Sequence, residues 1–230
     1  MNAETSTKFE KYADSHPMGG PVSDFERSFY RKYLTNFSVK ILDIGCGDGK
    51  YVTYLESECK DSLVIPCDIS FKRIQRVVEK GRSGVVGSGE KIPFKDKTFE
   101  RVFLMQVIEH VPNPDQVISE CERVLKPGGY FFVLTPNYPA KRFYDWIEVL
   151  RYRKWRKIWD DPTHCSKFSW TSLEQLLQKY FNQVEVVSTF ILGEGRFSKV
   201  RASRDQKNTF AKLFSHKILA VCSDSKKKSA

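Results

Sequence analysis

Residues 41–50 read Ile-Leu-Asp-Ile-Gly-Cys-Gly-Asp-Gly-Lys, an apolar run that breaks into a turn carrying three glycines and two aspartates. Glycines at this spacing let a backbone approach a ligand closely, and the acids restrict which ligand that is. A dinucleotide turn wants G-x-G-x-x-G, so that bare N–H groups at a helix N-terminus receive a pyrophosphate. Here Gly45, Gly47 and Gly49 stand at G-x-G-x-G, with Cys46 and Asp48 between them and Lys50 where the third glycine belongs. Asp48 in the turn and Asp43 at the end of the run bring negative charge to the place a phosphate would occupy. Asp68, 19 residues beyond Gly49, ends a second apolar run, where an acid can accept hydrogen bonds from both hydroxyls of a ribose. A ribose acid beside a phosphate-hostile turn suits a nucleoside with a sulfonium and an ammonium, the chemistry of S-adenosylmethionine. A tight turn with an ordinary helix cap is the bland alternative.

The elements that must hold these residues can be read from periodicity. Apolar runs predict strands at 39–45, 62–68, 84–88, 99–106, 130–136, 183–192 and 217–224. Helical spacing predicts helices over 23–34, 49–58, 70–80, from 114 to a stop at Pro127-Gly128-Gly129, and over 140–159, 171–180 and 206–214. Residues 1–10 read as disordered. Strands that alternate with helices imply a parallel sheet covered on both faces. Its ligand lies beyond the carboxyl ends of the strands, where Gly45, Asp68, Ser88, Gln106 and Pro136 converge.

Of the 230 residues, 40% are hydrophobic and 29% charged, which fits one globular α/β domain, and the formal net charge of +10 favours anionic partners without naming them. No apolar run is long enough to span a bilayer and the N-terminus has no secretory pattern, so a cytoplasmic protein is expected. Six cysteines, at 46, 59, 67, 121, 165 and 222, contain no CxxC pair and no paired metal-ligand spacing. They read as free thiols, and no metal is expected.

The stretch Val39–Leu55, Cys-Asp-Ile-Ser at 67–70, Gly-Glu-Lys-Ile-Pro-Phe-Lys-Asp-Lys-Thr-Phe-Glu from 89 onward through Glu109-His110-Val-Pro, and Glu120–Asn137 together resemble the class I S-adenosylmethionine-dependent methyltransferases, particularly the ubiquinone and menaquinone methyltransferase group. The similarity runs from about residue 39 to 137. It implies a Rossmann-like, seven-stranded, mostly parallel sheet with helices on both faces. By the same resemblance Asp43, Gly45, Cys46, Gly47 and Gly49 hold the methionine end, Asp68 the ribose, and Ile69 one face of the adenine. The family commonly carries an aspartate where this chain has Ser88 before Gly89, so the adenine amine would lose a charge-assisted bond. Gln106 would line the passage from sulfonium to acceptor.

His110 could take a proton from an acceptor hydroxyl, since an imidazole titrates near neutrality, or it could simply pack beneath the cofactor. Glu109 would cap or orient the segment after it. The resemblance makes Asp161 and His164, at D-x-x-H, residues of the acceptor mouth and His164 a rival base; an ordinary capped turn remains the alternative. Two variable elements are left to choose the acceptor. One is an N-terminal cap, residues 1–36, with Tyr12; the other is an insertion at 138–170 within a methyltransferase domain of residues 37–230. Residues 141–157 hold seven basic side chains against two acidic ones, and Phe143, Trp146, Ile147, Leu150, Lys154 and Ile158 recur at helical spacing. Such a helix closes over a small, amphipathic or lipid-like acceptor, lies on an anionic membrane, or packs on the core. A nucleic-acid acceptor is less favoured because no recognised RNA-binding module is present, and methylation of protein or a non-catalytic cofactor-binding role stays open. Oligomeric state has no signal in the sequence.

Overall fold

The computed structural model describes residues 3–15, 20–34, 38–138, 140–153, 163–192, 199–203 and 215–226. Strands β1 (Lys40–Ile44), β2 (Leu63–Asp68), β3 (Val85–Val86), β4 (Phe99–Met105) and β5 (Leu125–Pro136) pair in parallel. Three antiparallel strands complete the sheet: β6 (Phe181–Leu192), β7 (Lys199–Ser203) and β8 (Lys217–Ser225). The spatial order is β3-β2-β1-β4-β5-β8-β6-β7. All seven expected strands are present, and β7 adds an eighth at the edge by pairing with the end of β6. Chain order reverses between β1 and β4, and a parallel sheet opens a ligand crevice at such a point.

Period-two alternation decides which helix each strand face meets. Leu42, Val102, Leu104, Phe131 and Val133 pack with Val117, Ile118 and Cys121 of α5 (Pro114–Val124) and with Leu173 and Leu177 of α7 (Trp170–Gln178). Ile41, Phe103, Met105, Phe132 and Leu134 face the other way, against Phe29 and Tyr30 of α2 (Asp24–Tyr30) and Tyr51, Tyr54 and Leu55 of α3 (Lys50–Glu58). A one-residue slip would exchange the two sets, so the register of β1 with β4 is tightly specified.

Three expectations need correction. Residues 3–15 are not disordered but form helix α1 (Ala3–Ser15), packed on α4 (Phe71–Glu79). A helix this short is marginal alone in water, so its partner fixes it. Glu10 accepts from Ser70 Oγ at 2.9 Å and Phe71 N–H at 2.6 Å, capping α4, while Asp14 pairs with Lys72 at 2.6 Å. Pro127-Gly128-Gly129 does not stop α5, which ends at Val124; these residues sit within β5, where the pairing with β4 jumps from Leu125 to Tyr130. The helix expected over 23–34 is shorter, since α2 ends at Tyr30 and residues 31–34 lie beyond it. The expected helix at 206–214 and the continuation at 154–159 lie outside the described residues.

Candidate active site

The glycine turn joins β1 to α3, and its glycines have φ of 67° at Gly45, 57° at Gly47 and 87° at Gly49, a region costly for residues with a Cβ. Four of its backbone N–H groups are engaged within the fold. Gly45 and Cys46 N–H groups donate to the Cys67 carbonyl at 2.7 and 3.1 Å, Gly49 N–H to the Cys46 carbonyl at 3.1 Å, and Gly47 N–H to Asp68 Oδ2 at 2.9 Å. Asp48 turns to α4, where Arg76 pairs with it at 3.2 Å, so its charge is compensated.

Asp43 supplies the sharper signal. It is fully buried on β1, and neither carboxylate oxygen has a hydrogen-bond partner among the described residues. Burial, with the neighbouring charge of Asp68, pushes its carboxyl well above the ordinary range. Asp68 is buried too and also raised by desolvation, although Gly47 and Ser70 N–H groups oppose the shift by donating to it, Ser70 to Oδ1 at 2.9 Å. Two buried acids within electrostatic reach of each other make a pocket suited to a cation and to hydroxyl donors. Ile69 is partly buried beside them. Ser88 Oγ accepts from Glu90 N–H at 3.2 Å, which leaves its hydroxyl proton as a donor. A Cβ at Gly89 would lie 3.4 Å from Ile44 and 3.5 Å from Val117, placing that backbone over the end of β1. Gln106 ends β4 at φ 57°, an uncommon conformation for glutamine, held by its N–H donating to the Leu134 carbonyl at 2.7 Å.

Just past Gln106 a short 3-10 helix, Ile108–His110, brings the two sequence-predicted bases together. The His110 and His164 rings have centroids 4.8 Å apart. Ser166 ties the distant segment down, its N–H donating to the Glu109 carbonyl at 3.0 Å and its hydroxyl to the Val111 carbonyl at 2.9 Å. Thr163 Oγ1 lies 2.9 Å from His110 Nδ1, Tyr138 Oη lies 2.7 Å from His164 Nδ1, and Thr135 donates to Glu109 Oε2 at 3.0 Å. Tyr12 on α1 joins this group with its ring 5.7 Å from that of His110, and the buried Arg73 guanidinium sits 5.8 Å over the Tyr12 ring.

Trp146 is placed elsewhere. On α6 (Ala140–Tyr152) the residues Phe143, Trp146, Ile147 and Leu150 are exposed, Leu150 by 78%, while Asp145 and Val149 are buried. The described part of the aromatic stripe therefore faces outward rather than into the core. Asp161 lies outside the described residues. Sequence reasoning missed Arg73, Tyr138 and Thr163, and it gave Glu109 only a capping role. Thr163 and Tyr138 carry no motif of their own, and Arg73 reads as one more surface charge until α1 is seen to cover it.

Residues 42–133 match a family described as a methyltransferase domain. The botryococcene C-methyltransferase of Botryococcus braunii is 30% identical over 143 residues, which cover 55% of this chain and 38% of that protein. The ubiquinone biosynthesis O-methyltransferase of Vibrio atlanticus is 29% identical, covering 56% of this chain and 55% of its own length. The chain thus spans about half or less of the curated relatives it matches. A crystal structure of an S-adenosylmethionine-dependent methyltransferase from Thermotoga maritima superposes with a TM-score of 0.65 at 18% identity, covering 95% of this chain and 99% of that one, which shows the class I methyltransferase fold. The domain match and the fold imply S-adenosylmethionine, and the residues present fit it: a buried carboxylate at Asp43, without a partner among the described residues, for an ammonium, and Asp68 for ribose hydroxyls.

Proposed function

We propose that this chain methylates a hydroxyl of a small, amphipathic or lipid-like acceptor, using S-adenosylmethionine. The observation that carries the cofactor half is Asp43, a buried carboxylate beside Asp68 with no partner among the described residues. S-adenosylmethionine supplies an already activated methyl group when bound. Asp43 would hold its ammonium, Asp68 its ribose, and Ile69 and Ser88 its adenine. The chain's remaining tasks are to exclude water, align the acceptor and take up its proton. Tyr12, held on α1 across the site from His110, narrows the opening. His110 or His164 would accept the proton, the imidazoles being oriented by Thr163 and Tyr138. Single-turnover rates test this part. Replacing the acting histidine by Gln should slow the chemical step by roughly 10² to 10⁴ while S-adenosylhomocysteine affinity stays nearly unchanged. Normal rates in both variants would remove these histidines from the chemistry.

The hydroxyl and the lipid-like character of the acceptor rest on relatives whose names include a ubiquinone biosynthesis O-methyltransferase and a botryococcene C-methyltransferase. The exposed Phe143, Trp146, Ile147 and Leu150 support contact of α6 with an anionic membrane, from which such an acceptor would be collected. No described helix is long and apolar enough to cross a membrane. Vesicles containing anionic lipid should retain the wild type and release it with added salt, and Trp146→Ser with Leu150→Ser should bind several-fold less. Equal binding by that double variant would remove α6 from the contact.

A further inference from the structure

We propose that Lys50 and Lys217 form a subsite for a carboxylate carried by the acceptor, apart from the group that receives the methyl. Lys50 opens α3 directly after the glycine turn, and Lys217 opens β8, where it is paired across the strands with Pro136 at the end of β5. Both residues are partly buried. Glu26 of α2 joins them, 3% exposed, with Oε1 3.8 Å from Lys217 Nζ and Oε2 accepting from Tyr51 Oη at 3.0 Å. The Lys50 ammonium stands 5.4 Å from the centre of the Tyr51 ring.

Two ammoniums therefore share one carboxylate. Lys217 stands beyond the roughly 2.7 to 2.9 Å of a charge-assisted hydrogen bond, so Glu26 does not use up its donors. Among the described residues Lys50 has a ring contact but no carboxylate partner. Burial lowers the pKa of Lys50; Glu26 opposes that shift and Lys217 adds to it. Like charges that are half desolvated cost the fold stability, and an entering anion removes the cost. One lysine is enough to neutralise Glu26, which leaves the other to meet a ligand. The excess of a single positive charge matches a carboxylate, whereas a phosphate monoester, at about −1.5 to −2, would leave negative charge unmatched beside buried Glu26. The place favours the acceptor over the cofactor. β8 lies three strands from β1, roughly 14 Å at ordinary strand spacing, while Asp43 and Asp68 are on β1 and β2. Beside Lys217, the His216 carbonyl accepts from Asn137 N–H at 3.0 Å, and the next residue, Tyr138, reaches His164 at 2.7 Å.

That the carboxylate belongs to the acceptor rests on the methyltransferase reading; the subsite itself does not. Calorimetry on the full chain, with and without saturating S-adenosylhomocysteine, compares decanoate with two probes of the same chain length, uncharged decanamide and decyl phosphate. The expected result is that wild type binds decanoate roughly ten-fold or more tighter than decanamide, and tighter than decyl phosphate. Lys50→Met and Lys217→Met should each lose most of that preference, Lys217→Arg should keep it, and S-adenosylhomocysteine affinity should be unchanged in all three. Should Lys217→Met fail to fold because it leaves Glu26 buried without a cation, Lys50→Met, which breaks no described ion pair, carries the test. No binding of decanoate, equal affinity for decanoate and decanamide, tighter binding of decyl phosphate, or a preference that survives both Met substitutions would overturn the subsite. Weaker S-adenosylhomocysteine binding in the Met variants would assign the lysines to the cofactor's own carboxylate and overturn it too. A wild type that selects decanoate but does not bind S-adenosylhomocysteine refutes the methyltransferase reading and leaves the subsite standing.

Discussion

Replacing Asp43 by Asn should weaken S-adenosylhomocysteine binding and stabilise the ligand-free protein. The carboxyl is fully buried, lacks a partner among the described residues, and is pushed well above its ordinary range by burial and by Asp68. A charge-assisted hydrogen bond to the ligand ammonium is worth about 1.5 to 3 kcal/mol, so its loss should weaken affinity roughly 10- to 150-fold. The sign for stability comes from the raised pKa. The folded state holds its proton more tightly than the unfolded chain, so Asp43 does least harm in acid and costs stability as pH rises through its folded value. Ligand-free Asp43→Asn should therefore melt above wild type at mildly alkaline pH, with the gap closing in acid. An ammonium beside Asp43 favours its ionised form, so binding to wild type should release a proton and strengthen as pH rises. Calorimetry in two buffers of different ionisation enthalpy counts that proton. Unchanged affinity in a folded Asp43→Asn protein, or no difference between buffers, would refute the assignment of Asp43 to the ammonium.

Gly45→Ala should lose both stability and cofactor affinity, since its Cβ would stand 2.2 Å from Val107 Cγ2 at φ 67°; Val107→Ala should restore part of the loss in a melting assay because the clash is with that side chain, while the φ strain of roughly 1 to 2 kcal/mol persists. Glu10→Ala should release α1 from the start of α4 at a cost of about 1 kcal/mol, read as faster amide exchange over residues 3–15 with the sheet still protected. Alkylation of the native protein should label one of the six thiols, Cys165, because the other five are buried and burial pushes their thiols up, Cys67 to about 12. Fast labelling of a second cysteine would contradict the burial described.

The fold was legible wherever an element's own residues carry its reason. Continuous apolar runs marked β1 and β4 because those strands are buried on both faces, and the glycine turn was visible because left-handed backbone demands glycine. α1 was missed for the opposite cause. Ala-Glu-Thr-Ser-Thr-Lys-Phe-Glu-Lys-Tyr-Ala-Asp-Ser has a weak apolar stripe, and Glu10 and Asp14 anchor it to α4, sixty residues away in sequence. β7, with two charges in five residues, gave no apolar signal and is placed by its pairing with β6.

The site divides along the same line. Asp43, Gly45 and Asp68 lie on adjacent elements with a fixed offset, so the sequence could place them together, yet it misjudged Asp48, whose charge is met by Arg76 on a helix the local pattern does not bring near. The histidines show how the longer range works. His110 comes directly after β4, but His164 reaches it only because Ser166 bonds the backbone of Glu109 and Val111 and Tyr138 N–H bonds the Phe168 carbonyl. Those bonds tie the segment after β5 to the end of β4, beside the strands that carry Asp43 and Asp68. On the proposed reading, chemistry on the acceptor would be assembled from the end of the parallel sheet and a separately anchored segment. On that reading the segment after Pro136 can change with the acceptor while Asp43 and Asp68 stay in place, since no hydrogen bond described for either carboxylate comes from residues beyond Ser70.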